Sequence, residues 1–302
     1  MGSIESQRVE RSGVELSTLR RSRSLNWGVL VGIGAMHVGS LLAPFFFTWS
    51  GLVVACFLYW VSGCLGVTIG YHRLLTHRSF KTPKWFEYFL TACACLAWQG
   101  GPVQWVGVHR IHHAHSDTDG DPHTPSHGFA WSHVFWCMFK EAEGRRAADA
   151  AKDLLRDRGL RFLDRHFRWP QLALMLFLFG AGELAGSFGL FAADGASWVV
   201  WGVFVRTVFL YHSTWFVNSA SHTWGYRNFA TDDNSTNLWW VSLLSFGEGW
   251  HNNHHAYQRS VAHGMRWFEL DVSYLIIRTF SKMGLAWDLI LPPVVSPSSS
   301  SS

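Results

Sequence analysis

The 302 residues are 48% hydrophobic and only 15% charged, against ~25% charged in an average soluble domain, and they include 18 tryptophans. So little charge with so much indole argues against a soluble domain and for an integral membrane protein with aromatic belts at the interfaces. The net charge of +4 gives no case for nucleic acid, and five cysteines without a CxxC pair argue against a disulfide framework or a thiolate metal site.

Residues 1–24 are polar and carry Arg8, Arg11, Arg20, Arg21 and Arg23, which predicts a flexible basic tail. Leu25–Phe47 contains no Lys, Arg, Asp or Glu. At ~1.5 Å per residue it is long enough for a ~30 Å bilayer core. Trp49–Tyr71 is equally free of charge and joined to it by a short turn at Thr48-Trp49-Ser50, so the two predict a helical hairpin. The apolar stretch Trp85–Trp98, stopped by Gly100-Gly101-Pro102, is too short to cross and is expected in the interface plane or beneath a polar cap. Residues 107–168 are rich in His, Asp and Arg. Trp169–Ala193 and Ala196–Val217 then predict a second hairpin, Asn234–Phe246 a further short apolar piece, and 265–290 an amphipathic helix. The fold class expected is all-α integral membrane: four transmembrane helices in two hairpins with a cytosolic helical cap. One domain covers 25–292, and 293–302 is a Ser-rich tail.

Positive charge marks the cytoplasmic side of a membrane protein. Arg20, Arg21 and Arg23 precede the first span; Arg73, Arg78, Lys81 and Lys84 follow the second; Arg161, Arg165 and Arg168 precede the third. Both termini are therefore placed on the cytoplasmic or stromal side, with plasma membrane, thylakoid and endoplasmic reticulum left open. Glu183 and Arg206 lie inside spans three and four at similar distances from the turn at Asp194, and are expected to pair across the hairpin or to meet in a polar interior.

The chemistry sits in histidine clusters. His251, His254 and His255 fall at i, i+3 and i+4, and so do His109, His112 and His113; on a helix those offsets share one face. His72 and His77 are spaced by five. Each cluster follows an apolar segment at the same predicted membrane face, where they can converge. Eight imidazoles exceed the ligands of one first-row ion, so two metals are implied, and imidazole suits Fe, Zn, Cu or Ni. Second ring N–H groups of such ligands seek carboxylates, for which Glu248, Asp117, Asp119 and Asp121 are candidates. His37 and His212 lie in spans one and four, His115 lies off the shared face, and His123, His127, His133, His166 and His263 are read as surface or supporting residues.

The segments HRLLTH from His72, HRIHHAHSD from His109 and EGWHNNHHA from Glu248 resemble the three histidine boxes of membrane-bound fatty acid desaturases of the delta-9 type, stearoyl-CoA and acyl-lipid. The resemblance covers roughly Asn26 to Leu291 and is strongest to the acyl-lipid branch of cyanobacteria and plastids. Phe216-Val217-Asn218-Ser219-Ala220-Ser221-His222 is similar to a further family motif. What this implies is an O₂-dependent enzyme with two Fe held by His72, His77, His109, His112, His113, His222, His251, His254 and His255, with Asn218 acting through water. Asn218 and His222, four apart, share a helical face, which fits that role independently. The implied reaction places a cis double bond, at delta-9, in a fatty acyl chain on a glycerolipid or acyl-CoA. No His-Pro-Gly-Gly segment of a fused cytochrome b5 domain is present, so electrons are expected from a separate acidic donor, ferredoxin or cytochrome b5. The resemblance also implies a tunnel stop on span two, for which Trp60 and Cys64 are the candidates. Rival readings are a related membrane di-iron hydroxylase or ketolase, and a non-catalytic metal-binding membrane protein.

Overall fold

A computed structural model of the protein describes residues 24–140, 143–189 and 194–293. The expected tails lie outside these residues, apart from their innermost positions, Ser24 and Pro293. The chain is almost wholly helical. Its only sheet among the described residues is a two-residue ribbon, Ser24–Leu25 against Phe139–Lys140.

Helix α1 covers Trp27–Ser40, started by the Asn26 side chain accepting from Val29 N. Helix α2 starts at Trp49 with Thr48 as its cap and runs unbroken to Thr76. From Trp60 to Thr76 its hydrogen bonds widen to i→i+5, a π-type winding that is rare at this length. Helix α3 covers Lys84–Cys95 and α4 covers Pro102–His115. Five short helices follow: α5, Phe129–His133; α6, Glu143–Ala150; α7, Lys152–Leu155; α8, Arg158–Arg165; and, after α9 at Trp169–Ser187 and α10 at 195–219, α11 at Trp239–Leu244. Helix α10 is one rod made of Gly195–Val199, Val200–Val205 and Arg206–Ser219. The chain ends with α12, His251–Ala256, and α13, Val272–Lys282, capped by Asp271.

Helices therefore stand where the four spans and the two short apolar pieces were expected. Among the described residues, and taken alone, only Trp49–Thr76 is both long and apolar enough to cross a membrane. Leu58 of α2, Leu178 of α9 and Val203 of α10 pack together as the heart of this bundle. On the other side of α2, Ile69 and Leu65 pack with Phe86 and Leu90 of α3 and Ile277 of α13. Glycines make the α2–α3 contact close: a Cβ on Gly66 would stand 2.5 Å from Ala94 N, and one on Gly70 2.9 Å from Leu90 O.

Glu183 and Arg206 do not pair. Glu183 accepts from Gly195 N at 3.1 Å, at the very start of α10. Arg206, 1% exposed, is held instead by Gln171 Oε1 at 2.8 Å, Leu96 O at 2.6 Å, Ser62 Oγ at 3.2 Å and Gly202 O at 3.0 Å. Counting residues from Asp194 assumed two helices rising together from the turn. Helix α9 ends at Ser187 and α10 begins at Gly195, so Glu183 lies near the turn while Arg206 lies deep.

Candidate metal centre

Four segments bring their imidazoles together. Helix α2 supplies His72 and His77. Five residues on an α-helix would be turned ~140° apart. The i→i+5 winding, with His77 N donating to His72 O at 3.1 Å, instead stacks them, and their Nε2 atoms lie 3.1 Å apart. Helix α4 supplies His109 and His113 on one side and His112 on the next. Helix α12 supplies His251, His254 and His255, and the turn after α10 supplies His222.

The nine fall into two cages. In site 1, nitrogens of His72, His77, His109, His113 and His254 all lie within 4.8 Å of one another; in site 2, those of His112, His222, His251 and His255 do the same. Neighbouring Nε2 atoms approach to 3.1 Å for His72 and His254, 2.9 Å for His254 and His113, and 3.1 Å for His255 and His251. Asn218 lines a cavity beside His251.

Carboxylates stand behind these rings. Asp121 takes His112 Nδ1 at 2.8 Å, Asp117 takes His222 Nδ1 at 3.2 Å, and Asp233 takes His255 Nδ1 at 2.6 Å. Glu248 Oε2 lies 2.6 Å from His72 Nδ1. A carboxylate fixes the ring proton on Nδ1, so Nε2 is left as a bare acceptor. His112 Nε2 and His255 Nε2 then face each other at 3.4 Å with lone pairs on both sides. Two acceptors in a buried site repel unless a cation lies between them, so this donor set fits metal ions bound by imidazole.

Electrostatics agree. Burial, then the neighbouring imidazoles, hold His109, His113, His251 and His254 well below the usual histidine range, so these rings are neutral and ready to ligate. Burial opposes ionisation of Asp121, but the His112 and His123 imidazoles outweigh it and hold the carboxyl below its ordinary value. Asp233 is likewise pushed up by burial and brought down further by its bond to His255.

The other sequence candidates sort unevenly. Asp117, Asp121 and Glu248 reach ligands, whereas Asp119 is 99% exposed and lies near His127 alone. His123 and His263 are not surface residues: both are buried, His123 beside Asp121 and His263 between Arg73 and Glu248. His37 and His212 are linked Nε2 to Nε2 at 3.2 Å, and His212 Nδ1 meets His133 Nε2 at 3.0 Å, a chain apart from both cages. His115 and His127 are exposed and His166 half-buried. Two supporting residues had no sequence signal. Asp233 sits in an irregular loop. Arg73 looked like a flanking charge, yet it is fully buried against Glu248 at 3.1 Å and Asp271 at 3.0 Å.

A narrow cavity leads to both cages, reaching His72 and His109 of site 1 and His251 of site 2. Its walls are Tyr59, Gly63 and Val67 of α2, Leu210 and Val217 of α10, and Phe246. Trp60 and Cys64 do not line it. Trp60 is 36% exposed on the outer face, and Cys64 faces Ser273 at 3.6 Å in the packed core. Tyr59, beside Trp60 in sequence, does line the cavity. Its hydroxyl donates to Ser213 Oγ at 2.8 Å, and its ring lies against Phe209 and Phe246.

Comparison with known proteins agrees with this geometry. The fatty acid desaturase family model matches residues 43–288. The sn-1 stearoyl-lipid 9-desaturase of Anabaena variabilis is 48% identical over 88% of this chain and 94% of its own. The sn-2 palmitoyl-lipid 9-desaturase of Nostoc is 45% identical over 90% of this chain and 93% of its own, and the delta-9 acyl-lipid desaturase 2 of Arabidopsis thaliana is 44% identical over 90% and 85%. With paired histidine cages opening on an apolar cavity, and a family match over most of its length, the chain belongs to the fatty acid desaturases.

Proposed function

We propose that this desaturase places a cis double bond at carbon nine of a saturated acyl chain carried on a glycerolipid, using two iron ions held by the nine histidines of sites 1 and 2. The observation that carries the metal reading is the opposed acceptors His112 Nε2 and His255 Nε2, each fixed by a carboxylate behind it. Iron, when bound, supplies activation of O₂ for removal of hydrogen from unactivated methylenes. Asn218, on the cavity wall beside His251, acts toward site 2 through a water. Names of the similar lipid desaturases support the glycerolipid carrier and the delta-9 position.

The chain's own residues bind and orient. The walls from Tyr59 to Val67 exclude water from the acyl chain and direct it toward His72, His109 and His251. Tyr59 ends the channel and so sets how many carbons lie beyond the site. The reaction takes two hydrogens from the acyl chain and reduces O₂ to two waters, which leaves two electrons and two protons to come from outside. A separate acidic donor, ferredoxin or cytochrome b5, supplies the electrons. Helices α1, α2, α9 and α10 are the four spans in this reading, with both cages on the cytoplasmic or stromal face.

The test is expression in a host of defined lipids, with double bonds located in each lipid class and iron counted in the purified protein. A new cis-9 bond confined to glycerolipids is expected. An alcohol in its place would show a hydroxylase, and a bond made only on acyl-CoA would overturn the carrier.

A further inference from the structure

The two cages differ most in what stands behind them. Behind site 1 a single carboxylate, Glu248, reaches a ligand, and it is tied to the buried Arg73, which Asp271 shares. Glu248, Arg73 and Asp271 sum to one negative charge. Behind site 2 three carboxylates reach three of the four ligands: Asp121, Asp117 and Asp233. Their remaining partners are the backbone N–H groups of Asp117, His123, Asn234 and Ser235, the hydroxyls of Thr231 and Ser235, and the His123 ring. Among the described residues no Lys or Arg pairs with any of the three. Site 2 therefore faces three negative charges against one. Carboxylates behind imidazole ligands raise ligand basicity, and uncompensated negative charge favours the more highly charged cation.

We propose that the two sites are ranked by this charge: site 2 takes up a divalent cation first, and holds the higher-charged ion whenever the two ions differ. The proposal rests on the reading of the cages as a two-metal centre. Asp117, Asp121 and Asp233 are then positioning residues that tune site 2.

The experiment is an anaerobic titration of the metal-stripped full chain in detergent with Co²⁺, following ligand-field absorption and counting bound metal. In the wild type, two separate equivalents are expected, the first at least ten-fold tighter. Asp233→Asn keeps the acceptor oxygen for His255 but removes one charge. It should weaken the first equivalent by ten- to a hundred-fold and leave the second in place. Asp119→Asn, at an exposed acid, should change neither. Two equivalents of equal affinity in the wild type would overturn the ranking and leave the two-metal reading standing. Loss of the second, weaker equivalent in Asp233→Asn would also overturn it. Uptake of less than one Co²⁺ by the wild type would overturn the metal reading itself. The wild-type titration carries the test even if the variant fails to fold.

Discussion

Replacing Arg73 with methionine keeps most of its apolar stem and deletes its charge. The guanidinium is fully buried and donates to Glu248 at 3.1 Å and 3.3 Å, to Asp271 at 3.1 Å and to Val261 O at 2.8 Å. Removing one partner of a buried ion pair costs ~3–5 kcal/mol, chiefly because the remaining charge is left without compensation. Here two carboxylates are stranded, so the upper end is expected. At ~2 °C or more per kcal/mol for a large domain, that lowers the midpoint by about 10 °C. Thermal unfolding of metal-free protein in detergent, followed by tryptophan fluorescence at one fixed scan rate, reads the shift. A triple variant, Arg73→Met with Glu248→Gln and Asp271→Asn, neutralises the stranded charges. Asn can still cap α13, where Asp271 now accepts from Tyr274 N. The triple variant should recover more than half of the loss. A midpoint for Arg73→Met within about 2 °C of wild type would refute the reasoning, as would a triple variant no more stable than the single one.

Tyr59→Ala should lengthen the acyl chain accepted, whereas Trp60→Ala should not, because only Tyr59 lines the cavity; product chain lengths from a mixed acyl pool decide. Metal-free protein should lose stability as pH falls. His255 is held down to about 4, foremost by burial, whereas an unfolded histidine titrates near ~6.5. Between those values the unfolded chain binds a proton that the folded chain refuses. Stability is therefore full above ~6.5, declines as pH drops toward 4 and levels off below, by roughly 3 kcal/mol for this residue. Equal urea midpoints at pH 7 and pH 5 would contradict this. Gly66→Ala would press a Cβ to 2.5 Å from the Ala94 backbone and should cost ~1–3 kcal/mol or more, while Gly34→Ala, with nothing within 4 Å, should be neutral. Yields of folded protein after mild heating compare the two.

How much of this was legible depends on whether the relevant physics is local. The offsets i, i+3 and i+4 in His109–His113 and His251–His255 are a property of one helix, and the structure places both triplets on helices that face each other across the cages. The apolar segments were equally legible, since a helix is local. The partners of the ligands were less so. Asp233 reaches His255 from a loop, and Arg73 meets Glu248 and Asp271 across nearly two hundred residues, so no spacing announces either. His263 was read as a surface or supporting residue, and its place against Glu248 fits the supporting role. Its burial comes from the ionic cluster around Arg73, which is visible only once the chain has closed.

Trp60 and Cys64 sit on α2 off the cavity wall, on a helix whose winding is not that of an α-helix. Steps of four back from His72 reach Thr68, Cys64 and Trp60. The observed hydrogen bonds close five residues apart over Trp60–Thr76, so residues in line are spaced more widely. Back from His72, the cavity wall on α2 runs through Thr68 and Val67 to Gly63 and Tyr59. The same winding brings His77 onto His72. Such a helix is intrinsically poorer than an α-helix, and the surroundings hold it open. Ser62 to Thr76 are all buried, Thr76 Oγ1 donates to Tyr71 O at 2.8 Å, and Thr68 Oγ1 meets Ser273 Oγ of α13 at 2.6 Å. One helix thus carries two features: its winding stacks His77 on His72 in site 1, and its residues from Tyr59 to His72 form one wall of the cavity. If tertiary packing relaxed and α2 rewound as an α-helix, His77 would swing off the cage and the wall would turn out of line together, so the channel and site 1 stand or fall as one unit.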